Sequence, residues 1–271
     1  ADPKTLRRLA NPDSYTYNEY QKTQRAFSGL TGTFVLASNL DLSVSAYYRH
    51  TKYVESVPSS VIHRDLDTPG LTVQVNHKAE VGGIKNYLSA GVDAAWQVID
   101  EFKHPNLGGA EEGPGLLSDQ RLTQTGAGAF VLDRVELTPE WGVSGIVRYD
   151  RVTNNLDDHL AEIVIGIIGL SNKVAYERVT GRLGVTWNPL RDFGLYASWG
   201  TGFLPPGTEE LINNPYGQGG YNMQLVAATS SGEELGARGS LGKSLSYDLA
   251  LFYLRTENDF GRYRITTRPL E

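Results

Sequence analysis

Hydrophobic and polar residues alternate along most of the chain with a period of two. Leu40, Leu42, Val44, Ala46 and Tyr48 are interleaved with Asp41, Ser43, Ser45, Tyr47 and Arg49. The rhythm returns at Leu88, Ala90, Val92, Ala94, Trp96 and Val98, and again at Val179, Gly181, Leu183, Val185 and Trp187. It continues through Phe193, Leu195, Ala197 and Trp199, and through Leu245, Tyr247, Leu249, Leu251 and Tyr253. Side chains point alternately to the two sides of a β-strand, so each stretch predicts a strand with one apolar face and one polar or small face. Two stretches are less regular. Residues 120–137 read as a strand through Ala127, Ala129 and Val131, although Phe130 and Leu132 blur the alternation. Residues 163–170 are apolar on both faces and fit either an apolar loop element or a strand with a buried inner face.

Tight turns are expected near Asn39, Gly82-Gly83, Pro139-Glu140, Asn188-Pro189 and Gly242-Lys243. Between them lie polar segments at 58–69, 104–120, 153–162 and 204–232, read as longer loops. One strand before the first turn, two in each interval and one after the last predict ten strands. Each alternating stretch runs to about ten residues, the length that crosses a bilayer when tilted. Short turns at one end and long loops at the other are the layout of an outer-membrane barrel. A soluble β-sandwich is the competing reading of period two. Against it stand aromatic residues near strand ends (Trp141, Tyr149, Trp187, Phe193, Trp199, Tyr253), placed as an interfacial girdle requires. The second rank of each strand carries Ser, Gly, Thr, Asp and Arg, a poor sandwich core but a suitable wet lumen. The expected fold is all-β, a transmembrane antiparallel β-barrel.

Composition narrows the classes further. Hydrophobic residues make up 40% and the mean hydropathy is −0.32, too polar for a bundle of membrane helices. The longest apolar run, 163–170, falls well short of the ~20 residues a spanning helix needs. Thirty glycines, 15 tyrosines and one methionine fit a strand-rich chain. Having no cysteine, the chain contains neither a disulfide scaffold nor a cysteine-ligated zinc site. A net charge of −6 gives no support for nucleic-acid binding. Residues 1–10 carry no signal-peptide pattern, and Arg268-Pro269-Leu270-Glu271 does not read as a closing strand. The chain is therefore expected to be a processed product or part of a longer one.

No catalytic constellation emerges. There is no G-x-S-x-G elbow and no H-E-x-x-H, and Gly200-Thr201-Gly202 lacks the third glycine and following helix of a phosphate-binding loop. The histidines, His50, His63, His77, His104 and His159, are scattered. One of them beside Asp65, Asp67, Asp157 or Asp158 would suit a ten-stranded outer-membrane hydrolase, but a solvated polar surface accounts for them as well. No enzyme and no cofactor is expected.

The run Leu195-Tyr196-Ala197-Ser198-Trp199-Gly200-Thr201-Gly202-Phe203-Leu204-Pro205-Pro206-Gly207-Thr208-Glu209-Glu210-Leu211 resembles a strand of TonB-dependent outer-membrane receptors. In that family the strand ends in a Gly-Phe-Arg-Ala-Pro corner followed by a Glu-Leu pair. Here Leu204 and Pro205 replace the arginine and alanine, so no role of that arginine is carried over. Residues 225–239 (LVAATSSGEELGARG) are similar to the segment that returns from a large loop into an E-x-G-x-R strand. Glu234, Gly236 and Arg238 match it, whereas Ala227 and Gly232 stand where a proline and an aromatic are common. Tyr247-Asp248-Leu249-Ala250-Leu251-Phe252-Tyr253 fits the next strand, and 126–139 with 141–150 resembles the preceding hairpin.

The resemblance implies that residues 1–271 are a partial barrel domain, about ten strands of a 22-stranded barrel whose plug domain and C-terminal strands lie outside them. It implies a bacterial outer-membrane location among lipid and lipopolysaccharide, and coupling to the TonB complex through the plug. The implied function is active uptake of a ferric siderophore or a similarly scarce nutrient. Candidate ligand contacts are Tyr216, Tyr221, Arg49 and Arg64, and Glu234 and Arg238 are expected to pair structurally or to face the plug. Two other functions remain open on the sequence: a passive porin-like barrel, and the ten-stranded hydrolase.

Overall fold

The computed structural model describes residues 16–160, 172–212 and 220–260. Ten strands form one sheet: β1 (Tyr20–Ala37), β2 (Leu40–Val57), β3 (Ser60–Val81), β4 (Ile84–Pro105), β5 (Ser118–Glu136), β6 (Trp141–Asp158), β7 (Asn172–Leu190), β8 (Phe193–Leu204), β9 (Ala228–Leu241) and β10 (Leu245–Glu257). A short helix, α1 (Thr208–Ile212), lies between β8 and β9. Every strand pairs antiparallel with its neighbours in sequence, in the order β1 to β10, and β1 and β10 are the two edges of an open sheet. At the β3–β4 turn, Gly82 and Gly83 both adopt positive φ (61° and 83°). Two consecutive left-handed residues make the tight hairpin, a conformation that costs glycine no Cβ clash.

Register lines the alternating residues into two faces. Val44, Val73, Val92 and Ala129 are successive cross-strand partners on one face, and Ser45, Thr72 and Asp93 are partners on the other. The apolar face is exposed, with Val92 at 54%, Val147 at 60% and Leu183 at 59% of full accessibility. A water-facing sheet of this breadth would be an aggregation surface, whereas a lipid-facing one gains from the same side chains. Trp141 and Trp187 stack at 5.5 Å on this face beside the short turns, and by register Tyr149, Trp199 and Tyr253 share it farther along the strands.

The strands outrun their expected length. β3 and β4 have 22 residues each. That is roughly 70 Å of chain, which at a ~45° tilt rises about 50 Å, well beyond the ~30 Å hydrocarbon core. The excess explains where the predicted loops fail. Of 58–69, only Pro58 and Ser59 form the turn, and the polar residues from Ser60 onward continue as β3. Residues 153–158 are strand, 104–120 reduces to a loop at 106–117, and 204–232 reduces to 205–227. These segments are polar because the strands run on past the apolar band, and a strand with polar residues on both ranks reads as a loop in a single sequence. Pro69 sits inside β3, where pairing with β4 skips from Asp67–Val98 to Gly70–Ala95; proline has no N–H to give the ladder. The turn expected at Asn188-Pro189 falls instead at Arg191-Asp192, because β7 continues through a register shift between Trp187 and Leu190. β5 holds the expected strand at 120–137, with Phe130 and Leu132 on the polar face. Residues 163–170 lie outside the described residues.

Beyond the apolar band the two ranks exchange character. On the formerly apolar rank, Asp100, Arg121 and Asp157 stand in one cross-strand row. On the formerly polar rank, Ile99, Leu122 and Leu156 form the adjacent row and are buried beneath Leu211 of α1 and Tyr221. The segment between β8 and β9 thus caps the polar face at its loop end.

Candidate functional site

The polar face carries charged side chains at two heights. In its middle, Arg148 of β6 reaches over β5 to β4. Its Nη1 and Nη2 donate to Asp93 at 2.7 and 3.0 Å, and its Nε donates to Asp150 at 2.8 Å. Asp93, Gly128 and Asp150 form one row across the three strands. A Cβ on Gly128 would stand 2.1 Å from Arg148 Nη2, so the bare glycine is what lets the guanidinium lie flat over the central strand. Bidentate charge-assisted bonds of this kind are among the stronger polar contacts available to a protein wall. The row stitches three strands together and leaves one carboxylate charge in excess.

Nearer the loops, Glu101 is fully buried and ion-paired on both sides, with Arg64 Nε at 2.5 Å and Lys103 Nζ at 2.9 Å. The Arg64 guanidinium lies 5.4 Å from the Tyr53 ring centroid. A buried carboxylate needs such partners to offset its lost hydration, so Arg64, one of the predicted ligand contacts, has a structural task here.

Arg49, another, is half-buried on the polar face of β2, with Nη2 3.5 Å from Thr68 Oγ1 and no ion pair among the described residues. Tyr221, only 2% exposed, packs with Ile99, Leu122, Leu156 and Leu211. Its backbone N–H donates to Asn172 Oδ1 at 3.0 Å, its phenol oxygen is buried with no hydrogen-bond partner among the described residues, and burial pushes that phenol's pKa up. Tyr216 lies outside the described residues. Glu234 accepts a hydrogen bond from the Tyr196 hydroxyl at 2.7 Å, and the Tyr196 ring covers Gly236. Arg238 is exposed, opposite Gly194 and Asp248. Glu234 and Arg238 share a face but do not pair with each other among the described contacts.

Sequence reasoning missed the Asp93–Arg148–Asp150 row and buried Glu101. Each stands on the polar rank of its strand, which was the available signal; which charges meet across a glycine depends on register. The histidines do not reach this face. His50 pairs with Asp67 at 2.8 Å, and His159 pairs with Asp119 and Asp157 at 3.2 and 3.6 Å. By register Asp67, Asp119 and Asp157 belong to the opposite rank, so the lumen-rim His–Asp pair that a hydrolase requires is not formed by these residues. Among the described residues no group of three His, Cys, Asp or Glu side chains is placed to hold a metal ion.

The family profile described as TonB dependent receptor-like, beta-barrel, matches residues 2–269. No curated protein matches the chain. Among solved structures, the siderophore receptor PiuA from Acinetobacter baumannii superposes with a TM-score of 0.68 at 17% identity, over 86% of this chain and 40% of that one. The ferric citrate transporter FecA gives 0.75 at 14% identity, over 91% of this chain and 37% of that one. The alcaligin receptor FauA from Bordetella pertussis gives 0.63 at 17% identity, over 88% and 37%. The chain therefore spans about two fifths of the length of these structures. At such identities the likeness establishes the fold.

Proposed function

The chain belongs to the TonB-dependent receptor-like β-barrel family, and from that premise we propose that it is wall of an outer-membrane active-transport receptor for a ferric siderophore or a similarly scarce nutrient. The observation that carries this reading is the sheet itself: ten antiparallel strands with one lipid-compatible face and one charged face, open at both edges. Unpaired strand edges are not stable in hydrocarbon. The proposed barrel is completed by strands beyond β1 and β10, as in a 22-stranded wall, and its lumen is filled by a plug that couples to TonB. The apolar band then meets lipid, and the charged rank above it meets the lipopolysaccharide headgroups. PiuA, FecA and FauA carry siderophore, ferric citrate and alcaligin in their names, which supports iron chelates as the first ligands to try.

On this reading the loop end of the polar face captures the ligand. The Asp93–Arg148–Asp150 row keeps the wall rigid while the plug rearranges. The test is uptake of radioactive iron, supplied as a panel of chelates, by cells with and without the intact receptor gene. Energised uptake of at least one chelate, lost on deleting the receptor, lost on deleting TonB and lost with a protonophore, is expected. Uptake that depends on the receptor but survives both energetic blocks identifies a passive porin and contradicts the proposal.

A further inference from the structure

The loop between β4 and β5, residues 106–117, is fastened at its base and at its tip by different chemistry. At the base, Asn106 is buried, and its Nδ2 lies 3.1 Å from the Tyr17 carbonyl, 3.1 Å from Ser56 Oγ and 3.0 Å from the Val57 carbonyl. The Gly109 N–H donates to the Thr16 carbonyl at 2.8 Å. None of these groups changes charge in the physiological range, so the base is held alike throughout it. The backbone beyond it has an unfavourable shape. Gly108, Gly109 and Ala110 have φ of 109°, 64° and 66°, and a left-handed alanine persists only where its surroundings enforce it.

At the tip, Glu112 stands between two imidazoles that register places on the same rank as Asp100. Its Oε1 lies 2.7 Å from His63 Nε2 of β3, and its Oε2 lies 3.8 Å from His104 Nε2 of β4. The two rings are 6.3 Å apart and set edge to face at 85°. His63 donates to the carboxylate from Nε2 in its neutral and its charged form alike. His104 differs, because its Nδ1–H donates to the Gly115 carbonyl at 3.0 Å. A carbonyl oxygen only accepts, so the neutral ring carries its one proton on Nδ1 and turns a lone pair on Nε2 toward Glu112. Only the protonated ring presents an N–H to Gly115 and to Glu112 together.

The charged groups around the rings are Lys52 on β2, Asp65 on β3, Asp100 on β4, Asp119 and Arg121 on β5, Glu111 in the loop and Glu19 on the segment entering β1. Lys103 stands on the other rank, with Glu101. Asp100 is taken by Arg121 and Asp119 by His159, and among the described residues neither ring pairs with any carboxylate but Glu112. We propose that His104 and Glu112 form a proton-operated clasp on the tip of this loop. Protonation adds the bond from Nε2 to the carboxylate, so the tip is held at acid pH and let go as the pH rises. Imidazole is the side chain whose charge ordinarily changes between about pH 5 and 8. The clasp is independent of which ligand the receptor carries.

The experiment uses the full-length receptor in lipid vesicles with a nitroxide on Glu111→Cys, this chain otherwise lacking cysteine. The ratio of immobile to mobile spectral components is measured at about pH 5.5 and about pH 8, on either side of the imidazole range. It should fall roughly two- to fivefold as the pH rises, the size expected of one exposed ion pair, and by less in high salt. His104→Gln is expected to show one ratio at both pH values, whereas His50→Gln keeps the wild-type response. Glu112→Gln is expected to lose the response or reverse it, because its amide N–H donates to the lone pair of the neutral His104 ring. A label on Val131→Cys, in the apolar band, should not respond. The clasp is overturned by no response in the Glu111 label, by a wild-type response in His104→Gln or Glu112→Gln, or by a response that the Val131 label shares.

Discussion

Two stretches of the same strands, a few residues apart, obey opposite rules. In the band that includes Val92, Ala129 and Tyr149, the exposed rank is apolar and the other rank holds Asp93, Gly128 and Asp150. Eight residues farther along β4, the exposed rank has become Asp100, Arg121 and Asp157, and the other rank has become Ile99, Leu122 and Leu156. Backbone geometry does not change between the two, since the pairing register runs through both without a break. What changes is the medium. On the proposed receptor reading, the first stretch has lipid outside and a polar inside; the second has water outside and an inside covered by α1 and Tyr221. Alternation reports a two-sided sheet, and only the sign of the exposed rank reports which solvent faces it.

The contrast can be broken first at its most densely packed point. Leu156 is 1% exposed beneath the capping segment, and Leu156→Ala is expected to cost about 2–5 kcal/mol, as buried leucine truncations do. Limited proteolysis of the full receptor should then cut within 205–227 much faster than in wild type; an unchanged pattern would mean that the cap is held by something else.

Next comes a charge placed on each half of the same exposed rank. Val92→Arg puts a cation into the apolar band and is expected to cost about 2–4 kcal/mol in a lipid-refolded receptor. Asp65→Arg, on an exposed residue of the loop-end half, is expected to change stability by no more than about 0.5 kcal/mol. Denaturant midpoints of the two variants in the same vesicles measure the difference, and equal shifts would erase the boundary.

Removing the guanidinium that ties β4 to β6 sharpens the account of the other face. Arg148→Met leaves Asp93 and Asp150 unanswered across Gly128, at an expected cost of about 1–3 kcal/mol. Adding Asp93→Asn in that background should recover part of the loss, because one of the stranded charges is gone. Failure of the second change to recover anything would show that the row contributes packing and not charge.

The smallest effect belongs to Arg121 and Asp100, whose Nε–Oδ1 distance is 2.7 Å but whose side chains are 53% and 36% exposed. A double-mutant cycle should give a coupling of about 0–1 kcal/mol, falling with added salt. A coupling of several kcal/mol would place this pair in a drier environment than the loop-end half provides.

Alternation revealed the faces early: Trp141, Trp187, Phe193, Trp199, Tyr149 and Tyr253 all stand on the lipid-compatible rank, as a girdle requires. Strand length was not legible. Ser60 to Asp67 reads as a loop because charge falls on both ranks past the apolar band, and Pro58-Ser59 alone makes the turn. Of the candidate contacts, Arg49 falls on the polar rank that period two gives β2, whereas Arg64 lies in 58–69, which reads as a loop. That Arg64 is held by buried Glu101 depends on a cross-strand register that no local pattern encodes. Tyr221 looked like a loop tyrosine because its burial comes from strands 65 to 122 residues earlier in the chain, at Leu156 and Ile99.

The most direct measurement places single nitroxide labels on one rank of the full receptor in lipid vesicles, through cysteines that this chain otherwise lacks. Labels replace Val92, Val131 and Val147 in the apolar band, and Asp100, Arg121 and Asp157 beyond it. The first three are expected to relax strongly with dissolved oxygen and weakly with a water-soluble nickel complex, and the second three to do the reverse. If all six labels respond more to the nickel complex than to oxygen, the sheet does not cross a membrane and the receptor reading is wrong.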